Sequence, residues 1–325
     1  MTVLVTGGAG YIGSHTTYAL LDRGEAVVVL DNLSTGMRAH VADKAVFVEG
    51  EVADQALVKA LIREQAIDSV IHFAGSIVVP ESVAEPLRYY LNNVVASRAL
   101  IEACVESGIK QFIFSSTATV FAESAPQPLS EESEKSPISP YAKSKLMTEW
   151  MLEDASNAHP GFQHIVLRYF NVCGADAQGR TGQVSRIPTH LIKRAAMVAL
   201  GRIPYLDIFG TDYPTVDGTG VRDYIHVTDL ANAHLFALDA LREGGGSTSY
   251  NVGYGRGLSV REVIAAMERV IGRPLPAQEA PRRAGDPPTL ISDPSRIRAL
   301  GWTPQFDNIE GIIHSALNWE RRFNA

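Results

Sequence analysis

The chain of 325 residues is 46% hydrophobic and 20% charged, which is enough apolar material for two domains, or for one domain with a substantial appended lobe. Lys and Arg number 29 against 36 Asp and Glu, and the resulting net charge of −7 argues against a nucleic-acid surface. No apolar run is long enough to span a bilayer, Met1-Thr2-Val3-Leu4-Val5 carries no basic leader segment, and Cys104 and Cys173 are too few for a disulfide scaffold or a zinc site. A reduced, cytoplasmic setting fits that usage, with both thiols expected in packing roles and no metal.

Residues 3–6 form a short apolar run that meets Gly7-Gly8-Ala9-Gly10-Tyr11-Ile12-Gly13, then a helical pattern to Leu21 closed by Gly24. Gly8, Gly10 and Gly13 satisfy G-x-G-x-x-G, and Gly7 adds the denser Gly7-x-x-Gly10-x-x-Gly13 spacing. Without side chains the backbone can approach a pyrophosphate at the helix N-terminus, where N–H groups and the helix dipole favour an anion. The next strand, 26–30, runs into Asp31, eighteen residues after Gly13. A carboxylate there accepts both hydroxyls of an adenosine ribose and repels a 2′-phosphate, which predicts NAD rather than NADP.

Strands and helices then alternate: a strand at 45–48, a helix capped by Asp54, a strand at 69–73, a long helix toward Ser107, and strands at 111–115 and 164–169. Apolar strands between helices predict an α/β fold, a Rossmann-type doubly wound parallel sheet over 1–172. Beyond Asn171 the elements shorten and Gly and Pro punctuate them, as at 209–214. This predicts a smaller C-terminal substrate-binding lobe over 173–325, from which about 221–245 returns to the first domain. The proline-rich loop 125–140 delivers Tyr141 to the site.

Ser139-Pro140 reads as a helix start, and Tyr141 and Lys145 stand four residues apart just inside it. One helical turn places both on one face while Lys143 points elsewhere. A neighbouring ammonium favours a phenolate, so the spacing predicts that Lys145 lowers the pKa of Tyr141 and fits it for general acid/base work.

The glycine run joins several other stretches: Asp31-Asn32-Leu33-Ser34, His72-Phe73-Ala74-Gly75, Pro80-Glu81-Ser82-Val83, Asn92-Asn93-Val94, 114–120, 139–145, Arg168-Tyr169-Phe170-Asn171, 217–226 and 281–286. Together they extend over nearly the full length. In them the chain resembles the extended short-chain dehydrogenase/reductases and, within these, the UDP-glucose 4-epimerases. The resemblance implies a catalytic triad of Tyr141, Lys145 and Thr117. Tyr141 takes the sugar C4 hydroxyl proton as hydride leaves for the nicotinamide, and the 4-keto sugar swings about its link to UDP before hydride returns to its other face. Cofactor contacts are implied at Gly7, Gly10, Tyr11, Ile12, Gly13, Asp31, Asn32, Ser34, Glu51, Val52, Phe73, Ala74, Gly75, Asn92, Ser115 and Tyr169, besides Tyr141 and Lys145. Substrate contacts are implied at Thr117, Tyr141, Asn171, His190, Leu191, Phe209, Arg222, Arg283, Asp286 and Leu290. Guanidinium forks at Arg222 and Arg283 suit phosphate oxygens, whereas Asp223 and Asp286 are expected to partner neighbouring arginines. A homodimer through the helices at about 84–107 and 141–157 is also implied.

The chain departs from that family pattern at Ile77, Glu51, His190 and Phe121-Ala122. Ile77 replaces a lysine near the cofactor phosphates, which weakens the expected hold on NAD. Leu290 stands where epimerases restricted to UDP-glucose and UDP-galactose carry tyrosine, so UDP-GlcNAc and UDP-GalNAc are expected to fit as well. The alternatives are a 4,6-dehydratase or decarboxylase on the same scaffold and a non-catalytic NAD sensor. Ala118-Thr119 after Thr117 lacks the acid of the first, and retention of Tyr141 and Lys145 argues against the second.

Overall fold

A computed structural model describes residues 1–184, 188–283 and 285–323; Ala284, within the run 281–286 noted above, lies outside the described residues. The chain lays down β1 (Thr2–Thr6), α1 (Tyr11–Asp22), β2 (Ala26–Asp31), β3 (Val46–Glu49), α2 (Gln55–Glu64) and β4 (Ser69–His72). After these come α3 (Val79–Ala84), α4 (Pro86–Tyr89), a π-helical stretch (Tyr90–Val95), α5 (Ala96–Glu106), β5 (Gln111–Thr117), α6 (Pro140–Ala158) and β6 (Gln163–Tyr169). The rest comprises β7 (Asn171–Cys173), α7 (Leu191–Ala199), β8 (Leu206–Phe209), β9 (Val221–His226), α8 (Val227–Arg242), β10 (Thr248–Val252) and β11 (Gly257–Ser259). It closes with α9 (Val260–Ile271), β12 (Ala277–Ala280), β13 (Thr289–Leu290), α10 (Ser295–Ala299) and α11 (Ile309–Phe323).

Seven strands form one parallel sheet in the order β10-β6-β5-β4-β1-β2-β3. Successive side chains of a strand point to opposite faces. Val3, Val5, Val27, Val29, Ile71 and Ile113 therefore enter the core under α8, whereas Leu4, Val28, Leu30, Val70 and Phe112 enter the other, under α2 and α5. Both faces are buried, which is why the strands are apolar throughout instead of alternating. A small second sheet, β11-β9-β13 with β7 also on β9, carries part of the C-terminal lobe. β8 and β12 pair separately.

The long helix expected before Ser107 is broken. Pro86 opens α4, and a proline lacks the N–H that would continue α3. Tyr90–Val95 then takes the wider π-helical turn, which leaves Asn93 buried; such turns often lie beside functional sites. The segment expected to return to the first domain, 221–245, spans β9 and α8, and β10 follows it. β9 belongs to the small sheet, α8 packs on α1, and β10 is the far edge strand of the large sheet. Its sequence Thr248-Ser249-Tyr250-Asn251-Val252 is too polar to announce a buried strand. Among the described residues no helix is long and apolar enough to cross a membrane.

Candidate active site

The sharp turn from β1 into α1 needs its glycines. Gly7 has φ +70°, and a Cβ there would lie 2.6 Å from the Ala74 nitrogen; one at Gly13 would lie 2.3 Å from the Gly7 oxygen. No side chain caps α1 at Gly10, so the first-turn amides of Tyr11, Ile12 and Gly13 point from an uncapped helix end of the kind that binds anions. The Tyr11 hydroxyl is committed elsewhere, donating to Gly174 O at 2.7 Å.

At the end of β2, Asp31 accepts from Ala9 N at 2.9 Å and Leu33 N at 2.8 Å. Burial pushes its pKa up, and those two N–H groups oppose the rise. Asn32 accepts from the Ser34 backbone and hydroxyl and donates to Glu51, so Asn32, Ser34 and the exposed Glu51 form one chain beside buried Val52. Across the sheet, Phe73, Ala74 and Gly75 leave β4 toward α6. A Cβ on Gly75 would lie 3.7 Å from Lys145 Nζ. Asn92 donates to the Ser76 hydroxyl at 2.8 Å, while Asn93, absent from the implied contacts, binds the Ser76 backbone and the Ser144 hydroxyl. Its signal was the Asn-Asn pair itself; only the π turn decides which asparagine faces inward. These residues gather at the carboxyl ends of β1, β2, β4 and β5, where doubly wound sheets take ligands.

Ser139 caps α6 by accepting from Ala142 N at 3.2 Å, with Pro140 as the first helical residue. Tyr141 and Lys145 share the inward face and Lys143 is exposed. Lys145 is 3% exposed, donates to Ser115 O at 2.9 Å and sits 4.9 Å over the Phe114 ring. Desolvation draws its pKa down to about 8 against the pull of Glu149. Tyr141 differs from the expectation: desolvation pushes its phenol up to about 12, and the neighbour that lowers it is the Thr117 hydroxyl. Lys145 Nζ is turned to Ser115 O, which accepts its hydrogen bond. Thr117 also accepts from Thr119 N at 3.2 Å, which holds its hydroxyl at the mouth of the strand. Beside them the buried Tyr169 hydroxyl bonds His234 Nε2 at 2.5 Å, and His234 Nδ1 bonds Leu230 O at 2.8 Å. A carbonyl can only accept, so Nδ1 carries the proton and Tyr169 is the donor.

The substrate-side residues come from scattered segments. Asn171 pairs with Tyr224 across β7 and β9, and Leu290 pairs with Arg222 across β13 and β9. Leu290 packs with Ala118, Phe121, Ala122 and Phe170 next to Thr117. Arg222 rests on Val221 O at 2.9 Å and Pro288 O at 3.4 Å, and the Arg283 guanidinium lies 3.7 Å over the Phe209 ring. Desolvation lowers the Arg283 pKa, with Asp286 opposing. His190 and Leu191 enter from the start of α7, where burial lowers the His190 pKa against a bond to the Val172 backbone; Asp286 is exposed. Among the described residues Asp223 partners no arginine: it accepts from Tyr254 N, Gly255 N and the Ser292 backbone and hydroxyl. Ser116, Glu149, Arg168 and His234 were not singled out as site residues, although Glu149 continues the four-residue spacing of Tyr141 and Lys145.

Comparison with known proteins gives a consistent placement. The NAD dependent epimerase/dehydratase family model matches residues 3–253. The UDP-glucose 4-epimerase of Azospirillum brasilense is 54% identical over 320 residues, 98% of this chain and 92% of that protein. The crystal structure of UDP-glucose 4-epimerase from Brucella ovis in complex with NAD superposes with a TM-score of 0.93 at 45% identity, covering 98% of this chain and 97% of that one. The UDP-Glc/GlcNAc 4-epimerase of Campylobacter jejuni superposes with a TM-score of 0.85 at 49% identity, covering 99% of each chain.

Proposed function

Because the chain belongs to the NAD-dependent epimerase/dehydratase family, we infer that it interconverts UDP-glucose and UDP-galactose by epimerisation at C4. The observation that carries this reading is the inward face of α6, which sets Tyr141 against Thr117 and Lys145 against Ser115 and Gly75, opposite the glycine turn. The residues present fit NAD. The glycine turn and uncapped α1 would take the diphosphate, Asp31 the adenosine ribose and Lys145 the nicotinamide ribose. When bound, NAD⁺ supplies the hydride acceptor and donor, and its ring charge lowers the pKa of a nearby phenol.

The rest falls to the side chains. Tyr141 takes the proton of the C4 hydroxyl, which the Thr117 hydroxyl orients, and gives it back after the 4-keto sugar has turned over. Arg222 from β9 and Arg283 from the segment after β12 hold the diphosphate from outside the cofactor half, Phe209 and Asn171 flank the nucleotide, and the sugar between them is free to rotate. Dehydration would need an acid or base beside Thr117; Ala118 is buried there, and the Thr119 hydroxyl is bonded to that of Thr117.

The substrate range extends to UDP-GlcNAc and UDP-GalNAc, because Leu290 leaves volume at a wall that a tyrosine would fill. The active form is a homodimer. Val83, Leu87, Leu91 and Val95 recur every four residues and are exposed, as is Trp150 on α6; such a stripe on adjacent helices matches a self-complementary helical interface. Residues 1–172 make the cofactor domain and 173–325 mainly the sugar-nucleotide lobe, in a cytoplasmic enzyme whose two thiols are buried. The test incubates the protein with UDP-glucose, UDP-galactose and their N-acetyl analogues and separates the products. Interconversion without net NADH is expected; a 4-keto-6-deoxy product, or none, overturns the reading.

A further inference from the structure

Tyr141, Lys145 and Glu149 stand at successive turns of the same face of α6, and β5 meets each in turn. Thr117 contacts the Tyr141 phenol, the Ser115 carbonyl accepts from Lys145, and the Ser116 hydroxyl donates to Glu149 Oε1 at 2.5 Å. Arg168 lies directly opposite Ser116 across β5 and β6. It grips the same carboxylate, Nη2 to Oε2 at 2.7 Å and Nε to Oε1 at 3.1 Å. Glu149 is 6% exposed and Arg168 4%. Three elements, α6, β5 and β6, therefore converge on one carboxylate a single turn beyond Lys145.

Stability does not explain such a pair. Desolvating two charges costs about as much as their attraction returns, and a well-packed apolar replacement of both is often neutral or better. A three-way anchor does fix the rotation of a helix, because a turn of α6 that moved Tyr141 away from Thr117 would break the bonds from Ser116 and Arg168. We propose that Glu149 is a positioning residue for the Tyr141 and Lys145 pair, locking the face that α6 presents to β5 and placing a negative charge behind the Lys145 ammonium. This rests on the acid/base reading of that pair given above.

The titratable groups around Lys145 are few. Tyr141 and Glu149 share its helix, His72 approaches from β4, and Arg168 and Tyr169 lie on β6. His72 is bonded to Thr6 and Ser97 and kept neutral by burial, and the Tyr169 phenol is pushed up by burial. Glu149 is the charged neighbour that acts on Lys145, raising its affinity for a proton. Without that charge Lys145 loses its proton at lower pH, so activity that needs the ammonium should fail earlier on the alkaline side.

The experiment compares Glu149→Gln with the double variant Glu149→Met/Arg168→Met, which removes both charges and leaves neither buried alone. Glu149→Gln strands Arg168, and poor folding there is read as the loss of its partner; the double variant then carries the test. In the holoenzyme we expect a melting temperature close to wild type for the double variant, an unchanged KM for UDP-galactose and a kcat lower by about tenfold or more. The alkaline limb of kcat should move down by roughly half a pH unit. Wild-type kcat and an unmoved limb in the double variant overturn the proposal, as does a lower kcat with an unmoved limb, which is what general loosening would give. Tyr141→Phe is measured alongside: if it keeps its turnover, the acid/base reading fails instead, whatever Glu149 does.

Discussion

The cofactor-side and substrate-side residues of the candidate site hold their polar groups in different ways. On the cofactor side the groups are fixed by bonds to the frame: Asp31 by Ala9 N and Leu33 N, Lys145 by Ser115 O, Tyr169 by His234. On the substrate side the groups rest on provisional partners. Arg222 lies on two backbone carbonyls, Arg283 on the face of Phe209, and Asp286 is exposed. A preset frame suits a cofactor that stays and must present one atom accurately, because bonds already made need no reorganisation. Adaptable anchors suit a ligand that enters, turns its sugar over and leaves. The difference teaches that the fixed groups belong to the large sheet and its helices and the adaptable ones to the C-terminal lobe.

The largest effect should come from the fixed side. Tyr141→Phe keeps the ring and removes the titrating oxygen, so kcat should fall by about 10²–10⁴-fold while circular dichroism and UDP affinity stay close to wild type. Near-normal turnover would break the contrast at its centre.

Acid should weaken the same frame. Burial draws His72 and His226 down to about 3 and His15, His164 and His234 down to about 4. They are neutral when folded, whereas the unfolded chain binds protons below about 6.5. Stability is therefore full above that pH and declines as pH falls from about 6.5 toward 4, since the unfolded state then holds more protons. The melting temperature should drop clearly between pH 7.5 and pH 5; a flat profile would show that these imidazoles do not set the limit.

A smaller, sharper change is expected at Asp31. Asp31→Asn keeps one of the two oxygens that accept from the Ala9 and Leu33 amides and removes the charge that repels a 2′-phosphate. Activity of apo-protein reconstituted with NADP, relative to NAD, should rise about tenfold, which corresponds to ~1.4 kcal/mol. No change in that ratio would mean that another group selects the cofactor.

The mildest effect on the parent reaction belongs to the lobe. Leu290→Tyr should leave UDP-galactose turnover close to wild type while selectively suppressing turnover of the N-acetyl substrates. Loss of both, or of neither, would show that this wall does not gate the sugar.

The sequence by itself determined what depends on neighbours along the chain. The glycine turn, Asp31 at the end of its strand, the Asp54 cap and the one-turn spacing of Tyr141 and Lys145 follow from backbone geometry over a few residues, and all stand in the structure as read. Resemblance in scattered motifs supplied the lobe residues, which no local period marks. Tertiary structure alone decided the rest. β10 is polar in sequence and becomes a sheet strand because β6 offers a free edge; the π turn chooses Asn93 over Asn92; and Asp223 serves backbone amides from distant segments. It also raised the Tyr141 phenol where a lowering was expected, because burial outweighs the hydrogen bond from Thr117. Spacing along a helix puts Lys145 on the right face, but the Ser115 carbonyl that accepts its hydrogen bond comes from a strand thirty residues earlier. Charge interactions act through space, and only the folded chain fixes those distances.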